Sequence, residues 1–156
     1  MSVLTQAAQL GVTHVKTIKF SDFTETVSAT EEVIDCFTIP ANSIVEKVGY
    51  VLKTNFDGAS SSDLTLELGD DDTDNGFMTA SIIHEDATEV NAAYNTGAYF
   101  VAEAGTTDPA NATNGKLYLA AKTVKAAFIP TGDSLDDITS GEVVIFATIV
   151  ELDKLS

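Results

Sequence analysis

The segment Asp63–Leu68 (DLTLEL) alternates apolar and polar residues without a fault. A two-residue period places Leu64, Leu66 and Leu68 on one face of an extended chain, with Asp63, Thr65 and Glu67 on the other. A helix would scatter those leucines around its axis. A strand that is apolar on one face must lay that face against a second layer, so this chain needs a packed sheet.

The rest of the sequence repeats the theme in shorter runs. Thr13–Phe20 (THVKTIKF) is rich in β-branched residues and stops at Ser21-Asp22, a turn pair. Val33–Ile39 stops at Pro40, which cannot donate to a ladder. In Ile44–Thr54, Ile44, Val48, Tyr50 and Leu52 fall on one face, and Val45, Lys47, Val51 and Lys53 on the other. A turn is expected at Asn55-Phe56-Asp57-Gly58 and another at Pro130-Thr131-Gly132-Asp133. Phe77–His84 reads as a strand, although Met78, Ala80 and Ile82 could equally start a helix; Gly97–Glu103 reads as a strand, and Lys116–Ala121 and Thr123–Ile129 as one bent strand or two. Capping-box spacing at Asp86–Glu89 allows a short helix over Ala87–Ala93. Glu142–Glu151 (EVVIFATIVE) is apolar on both faces, as in a strand covered on both sides. About eight strands at roughly 10–15-residue spacing make an all-β, antiparallel β-sandwich or jelly roll the expected fold.

At 156 residues, with 44 % hydrophobic and 21 % charged residues, the chain fits one domain with a real core. Residues 13–156 are expected to form a single β-sandwich domain. The uncharged segment Met1–Val12 reads as an N-terminal arm. There is no apolar run of membrane-spanning length and no basic, apolar leader, so a soluble, unexported chain is expected.

Charge excludes more than it assigns. Twenty-four acidic residues face eight basic ones, all lysine, for a net −16. Such a surface repels nucleic acid and anionic membrane, and the absence of arginine removes the usual bidentate reader of phosphates and bases. His14 and His84 belong to no catalytic or metal-binding pattern, and the only cysteine, Cys36, reads as a small buried hydrophobe. No constellation of catalytic residues rises above chance among so many acids, so no enzyme activity and no cofactor is expected.

Gly69–Gly76 (GDDDTDNG) is an acidic loop in which Asp70, Asp72 and Asp74 alternate, as Ca²⁺ ligands do. Neither register supplies both the glycine and the glutamate that an EF-hand loop requires, so a solvated hairpin loop is the main reading and Ca²⁺ the minority one. Asn111-Ala112-Thr113 is a glycosylation sequon that without export is only a turn.

Phe37–Gly58 (FTIPANSIVEKVGYVLKTNFDG) and Leu64–Phe77 (LTLELGDDDTDNGF) resemble small structural proteins of tailed bacteriophage virions. The resemblance rests on Ile39-Pro40-Ala41, Val45, Val48, Thr54, Phe56-Asp57-Gly58, Gly69, Asp74 and Gly76-Phe77. Asn42 stands where that group usually has Gly, and Asn75 intrudes before Gly76. The resemblance covers about a third of the chain. It implies a capsid decoration (cement) protein on the head exterior, commonly a homotrimer, bound to the major capsid protein and assembled in the host cytoplasm. Val3, Leu4, Leu10 and Val12 of the arm are the candidate capsid or subunit contacts, being apolar with no visible partner. A carbohydrate- or receptor-binding module of a phage appendage is the alternative, with Tyr94 and Tyr99 as its aromatic platform.

Overall fold

The computed structural model describes residues 11–58, 63–84, 92–100 and 115–155. Nine strands are described: β1 (His14–Lys19), β2 (Glu32–Ile39), β3 (Ser43–Gly58), β4 (Asp63–Gly69), β5 (Met78–Ile82), β6 (Ala92–Tyr94), β7 (Lys116–Tyr118), β8 (Lys122–Thr131) and β9 (Ile138–Glu151). Every strand pairing is antiparallel. One sheet runs β1-β9-β3-β6, with β7 also on β3, and the other runs β2-β8-β4-β5. Chain neighbours β1/β2, β3/β4 and β8/β9 lie in opposite sheets, so the chain winds back and forth across the sandwich as a jelly roll does. Among the described residues no helix is long and apolar enough to cross a membrane.

The core lies between the sheets. Leu64, Leu66 and Leu68 all point inward and are fully buried, as their alternation requires. They meet Val48, Tyr50, Val143 and Ile145 of the five-stranded sheet in one cluster. At its centre the Phe128 ring lies 4.9 Å from Phe23, edge-on, and 6.1 Å from Phe56.

Several local expectations fail for identifiable reasons. Ile44 is only half-buried and Val45 takes the inward place, because a register shift between Val45 and Lys47 reverses the alternation at Glu46. A second bulge, between Asp35 and Phe37, leaves Cys36 as the extra residue and turns Phe37 and Ile39 inward, exposing Thr38. The expected turn at Asn55–Gly58 is the end of β3 instead, since Asp57 and Gly58 still pair with Ser140 and Ile138. Pro130 does not turn the chain either. It lies in β8 opposite Leu64, beyond Phe128, where the pairing with β2 ends. Residues 97–100 form a turn in place of the expected strand, held by Phe100 N–H donating to Gly97 O, and residues 101–103 lie outside the described set. Ala92 and Ala93 belong to β6 rather than to a helix, and residues 85–91 are likewise outside that set.

Backbone shape explains two further positions. Asn42 has φ +55°, a left-handed conformation that Asn tolerates better than most residues and that the usual Gly of the resembling group adopts freely. Gly141 has φ +134°, and a Cβ there would enter the Phe56 ring. Gly141→Ala is therefore expected to cost about 2–4 kcal/mol through backbone strain and overpacking together, read from urea unfolding. A change below about 0.5 kcal/mol would mean that β9 and Phe56 adjust freely.

Candidate functional site

The acidic loop leaves β4 at Gly69, where a Cβ would run into the backbone of Thr73 and Asp74. The loop folds tightly on itself. Asp70 N–H donates to Thr73 O at 3.0 Å, and Phe77 N–H returns to Leu68 O at 3.0 Å. Asp70 Oδ1 then accepts from the backbone N–H groups of Asp72 (2.9 Å) and Thr73 (3.0 Å), the side-chain-to-backbone turn that aspartate favours.

Asp70 is not solvated. It is fully buried, and three side chains from distant parts of the chain close on its carboxylate. Tyr99 Oη donates to Oδ1 at 2.9 Å, Lys116 Nζ donates to Oδ2 at 2.9 Å, and Tyr118 Oη donates to Oδ2 at 2.5 Å. Lys116 and Tyr118 reach it because they alternate along β7, which puts both on the inward side while Leu117 faces out. The Lys116 ammonium lies 3.2 Å from the Tyr99 ring centroid and 4.7 Å from that of Tyr118, a cation held between two π faces. Phe77 packs edge-on to Tyr99 at 5.2 Å. Gly76 is required here, since the Tyr99 ring occupies the space of a Cβ.

Burial would raise the Asp70 pKa, but the bonds from Tyr118, Lys116, the Asp72 backbone and Tyr99 outweigh it and hold the carboxyl down to about 2. Tyr118 moves upward, first through burial and then because its hydroxyl donates to that carboxylate. The cluster is thus an anion with five donors, built to stay ionised and still.

The loop rim is tied down too. Asp71 bonds Lys125 at 2.9 Å and accepts the Thr123 N–H, which depresses its pKa, while Asp72 pairs with Lys122 at 2.7 Å. The alternating acids therefore do not converge: Asp70 turns inward, Asp72 faces Lys122, and Asp74 is exposed. Among the described residues no three His, Cys, Asp or Glu side chains group to hold a metal. Added Ca²⁺ is expected to leave the thermal midpoint unchanged at constant ionic strength. A rise with Ca²⁺ but not Mg²⁺ would restore a role for these carboxylates in cation binding.

The remaining candidates are dispersed. Cys36 is half-buried, and the burial of its thiol pushes the pKa up to about 12, so its thiolate is scarce. The His14 ring packs 5.6 Å from Phe37, and burial lowers its pKa against the opposing charge of Glu151. His84 is buried beside Phe56, to which an isolated bridge joins it. Tyr94 and Tyr99 make no common platform: Tyr99 is absorbed in the Asp70 cluster, whereas Tyr94 stands exposed on the far side of β6. Val12 is half-buried just before β1; Val3, Leu4, Leu10 and the Asn111–Thr113 sequon lie outside the described residues. The sequence points to the loop but not to Lys116 and Tyr118, and it offers Tyr99 for an aromatic platform rather than as a donor to Asp70. The available signal was Lys-Leu-Tyr at Lys116–Tyr118, two polar-tipped residues two apart beside a leucine, the reverse of an ordinary edge strand.

No protein-family model matches this chain, and no curated protein does. Two solved structures are similar. A chain of the cyanophage Pam1 capsid asymmetric unit superposes with a TM-score of 0.51 at 16 % identity, covering 88 % of this chain and 81 % of that one. A chain of the acidic stable capsid structure of Helicobacter pylori bacteriophage KHP30 gives 0.45 at 14 % identity, covering 87 % and 89 %. At such identities the first likeness shows a shared fold; the second is too distant in shape to add to it.

Proposed function

We propose that this chain is a structural protein of a tailed-phage virion, a decoration protein that binds the outside of the head and reinforces the major capsid lattice. The observation that carries the reading is the jelly-roll fold shared with a chain of the cyanophage Pam1 capsid across most of both chains. The phage-like motifs support it. They occupy core positions such as Val45, Val48, Phe56 and Phe77, the end of β3 at Asp57-Gly58, and the acidic loop, with Gly69 and Gly76 at its close approaches.

Physical chemistry fits the same role. A head packed with DNA is under outward pressure, and a rigid body bridging neighbouring coat subunits resists it through buried area alone. Binding the assembled lattice but not free coat subunits stabilises the shell by mass action, with specific interfaces of about 1,600 Å² or more. The Asp70 cluster serves rigidity rather than turnover, since its carboxylate is saturated with donors. A net charge of −16 keeps crowded particles apart and away from nucleic acid. Copies of the chain associate as a homotrimer in this proposal, and the arm with Val3, Leu4, Leu10 and Val12 contributes to the contact with the lattice or a neighbouring subunit.

Co-sedimentation with phage heads lacking the protein tests this. The full chain is expected to pellet with assembled heads and not with dissociated coat subunits. A chain without residues 1–12 is expected to lose most of that occupancy while keeping the circular dichroism of the folded body. Equal binding of the full chain to free subunits, or none to heads, would refute the proposal.

A further inference from the structure

Both outer faces of the sandwich are partly apolar, but their charges differ in sign. On the five-stranded sheet, Lys47, Val51, Ala92, Tyr94 and Phe146 line a groove of about 250 Å³, with Tyr94 58 % exposed. Five of the eight lysines hold a carboxylate: Lys19, Lys116, Lys122, Lys125 and Lys154. Lys47 and Lys53 hold none among the described residues, although acids outnumber lysines three to one. Lys47 lies over the Tyr94 ring, 5.4 Å from its centroid. Lys53 is the exposed extra residue where the β3–β9 register shifts past Leu52. Glu142 on the same face is neutralised by Lys19, and Glu46 is exposed in the bulge before Lys47.

The outer face of the four-stranded sheet carries Val33 and Ile82, 45 % and 43 % exposed. Val33 is followed by Ala127 and Glu67 across β8 and β4, and Ile82 by Thr65 and Ile129 across β4 and β8. Acids dominate the charge here. Asp35 is opposite Lys125, which is held by Asp71 at 2.9 Å. Burial, and then the charges of Asp74 and Glu67, raise the Glu31 carboxyl above its ordinary value, which places three carboxylates within one another's field. Among the described residues no lysine pairs with any of the three. One face thus offers cations beside an apolar groove, and the other offers crowded anions beside exposed Val33 and Ile82.

We infer that copies of this chain associate through these unlike faces, the Lys47–Lys53 face of one seated on the Glu31–Glu67 face of the next, with Val33 and Ile82 covering the groove. The area suffices. Four strands at about 4.8 Å spacing and the 14 residues of β9 at about 3.4 Å each give up to about 900 Å², against about 800 Å² per partner in a standard interface. Repulsion between chains of net −16 does not forbid the contact, because at about 0.15 M salt charges beyond about 8 Å are screened while contacting pairs still act. A contact between two different patches is heterologous, the type that builds cyclic rings as well as open arrays. The inference deepens the self-association within the proposed function by naming its two faces, and rests on that part of the reading alone.

Sedimentation velocity at about 0.15 M salt and up to about 1 mM protein is the experiment. The wild type is expected to associate as concentration rises. Two charge-reversed variants, Lys47→Glu/Lys53→Glu and Glu31→Lys/Glu67→Lys, are each expected to associate at least about tenfold more weakly. The second lowers the net charge, so weaker overall repulsion alone would strengthen its association instead. An equimolar mixture of the two is expected to recover association, because their reversed faces complement one another. Circular dichroism checks that each is folded. If either double variant is not, Lys53→Glu and Glu31→Lys, both at exposed positions, carry the same mixing test. A wild type that stays monomeric, association that survives either reversal, or a mixture no more associated than its components would overturn the inference. Occupancy on phage heads is read separately, so decoration by monomers would leave that role standing without this interface.

Discussion

Asp70→Asn is expected to destabilise the fold by about 3 kcal/mol, since it strips the charge from a buried pair and leaves the Lys116 ammonium facing an amide. The low end of the usual range applies because the Lys116 side chain is 25 % exposed and water recovers part of its solvation. Asn retains an oxygen for the Asp72 and Thr73 N–H groups, so the loss reports the Oδ2 side, where Lys116 and Tyr118 donate. Asp70→Asn combined with Lys116→Met is expected to recover much of it, because no unpaired charge remains. The same carboxylate makes stability fall in acid. Its folded pKa of about 2 lies below the ordinary value of 3.8. The contribution is therefore complete above about pH 4–5 and drains away as pH drops through about 2. With allowance for solvent screening it amounts to about 1–2 kcal/mol. The gap between the urea midpoints of the wild type and Asp70→Asn should narrow, without closing, as pH falls from 5 to 2. Parallel curves would show that Asp70 is not the titrating group.

Phe128→Ala is expected to cost about 3–5 kcal/mol, a large share of the 5–15 kcal/mol that holds a domain of this kind together. Phe128 is fully buried on β8, in the middle of its sheet, with the Phe23 and Phe56 rings against it. Removing it opens a cavity that two rigid sheets cannot close. The urea midpoint should fall with the slope preserved, and Phe128→Leu should lose clearly less. Val33→Ala on the 45 %-exposed side of β2 should stay within about 0.5 kcal/mol. If both changes cost the same, the packed core is not where the structure puts it.

Legibility in the sequence followed the range of the interactions. The leucines of β4 and the apolar β9 could be read because a two-residue period is a local property. The inward turn of Val45 and Phe37 could not, since a bulge is decided by the partner strand. Asn55–Gly58 carries strong turn chemistry, yet pairing of Asp57 and Gly58 with Ser140 and Ile138, about eighty residues away, keeps it in β3. The acidic loop was visible as a charge run and naturally read as solvated. Its buried state depends on Lys116 and Tyr118, 46 and 48 residues further on, which a single sequence does not connect to Asp70. Lys122 and Lys125 complete the same long-range neutralisation at the rim.

The proposed role is that of a stiff β-sandwich fastened to the outside of a phage head. Cryo-electron microscopy of heads assembled with and without this chain tests that directly. Difference density the size of the sandwich, repeated on the outer surface where coat subunits meet, is the predicted result. Heads identical in the two maps, or density confined to the interior or to the tail, would contradict it.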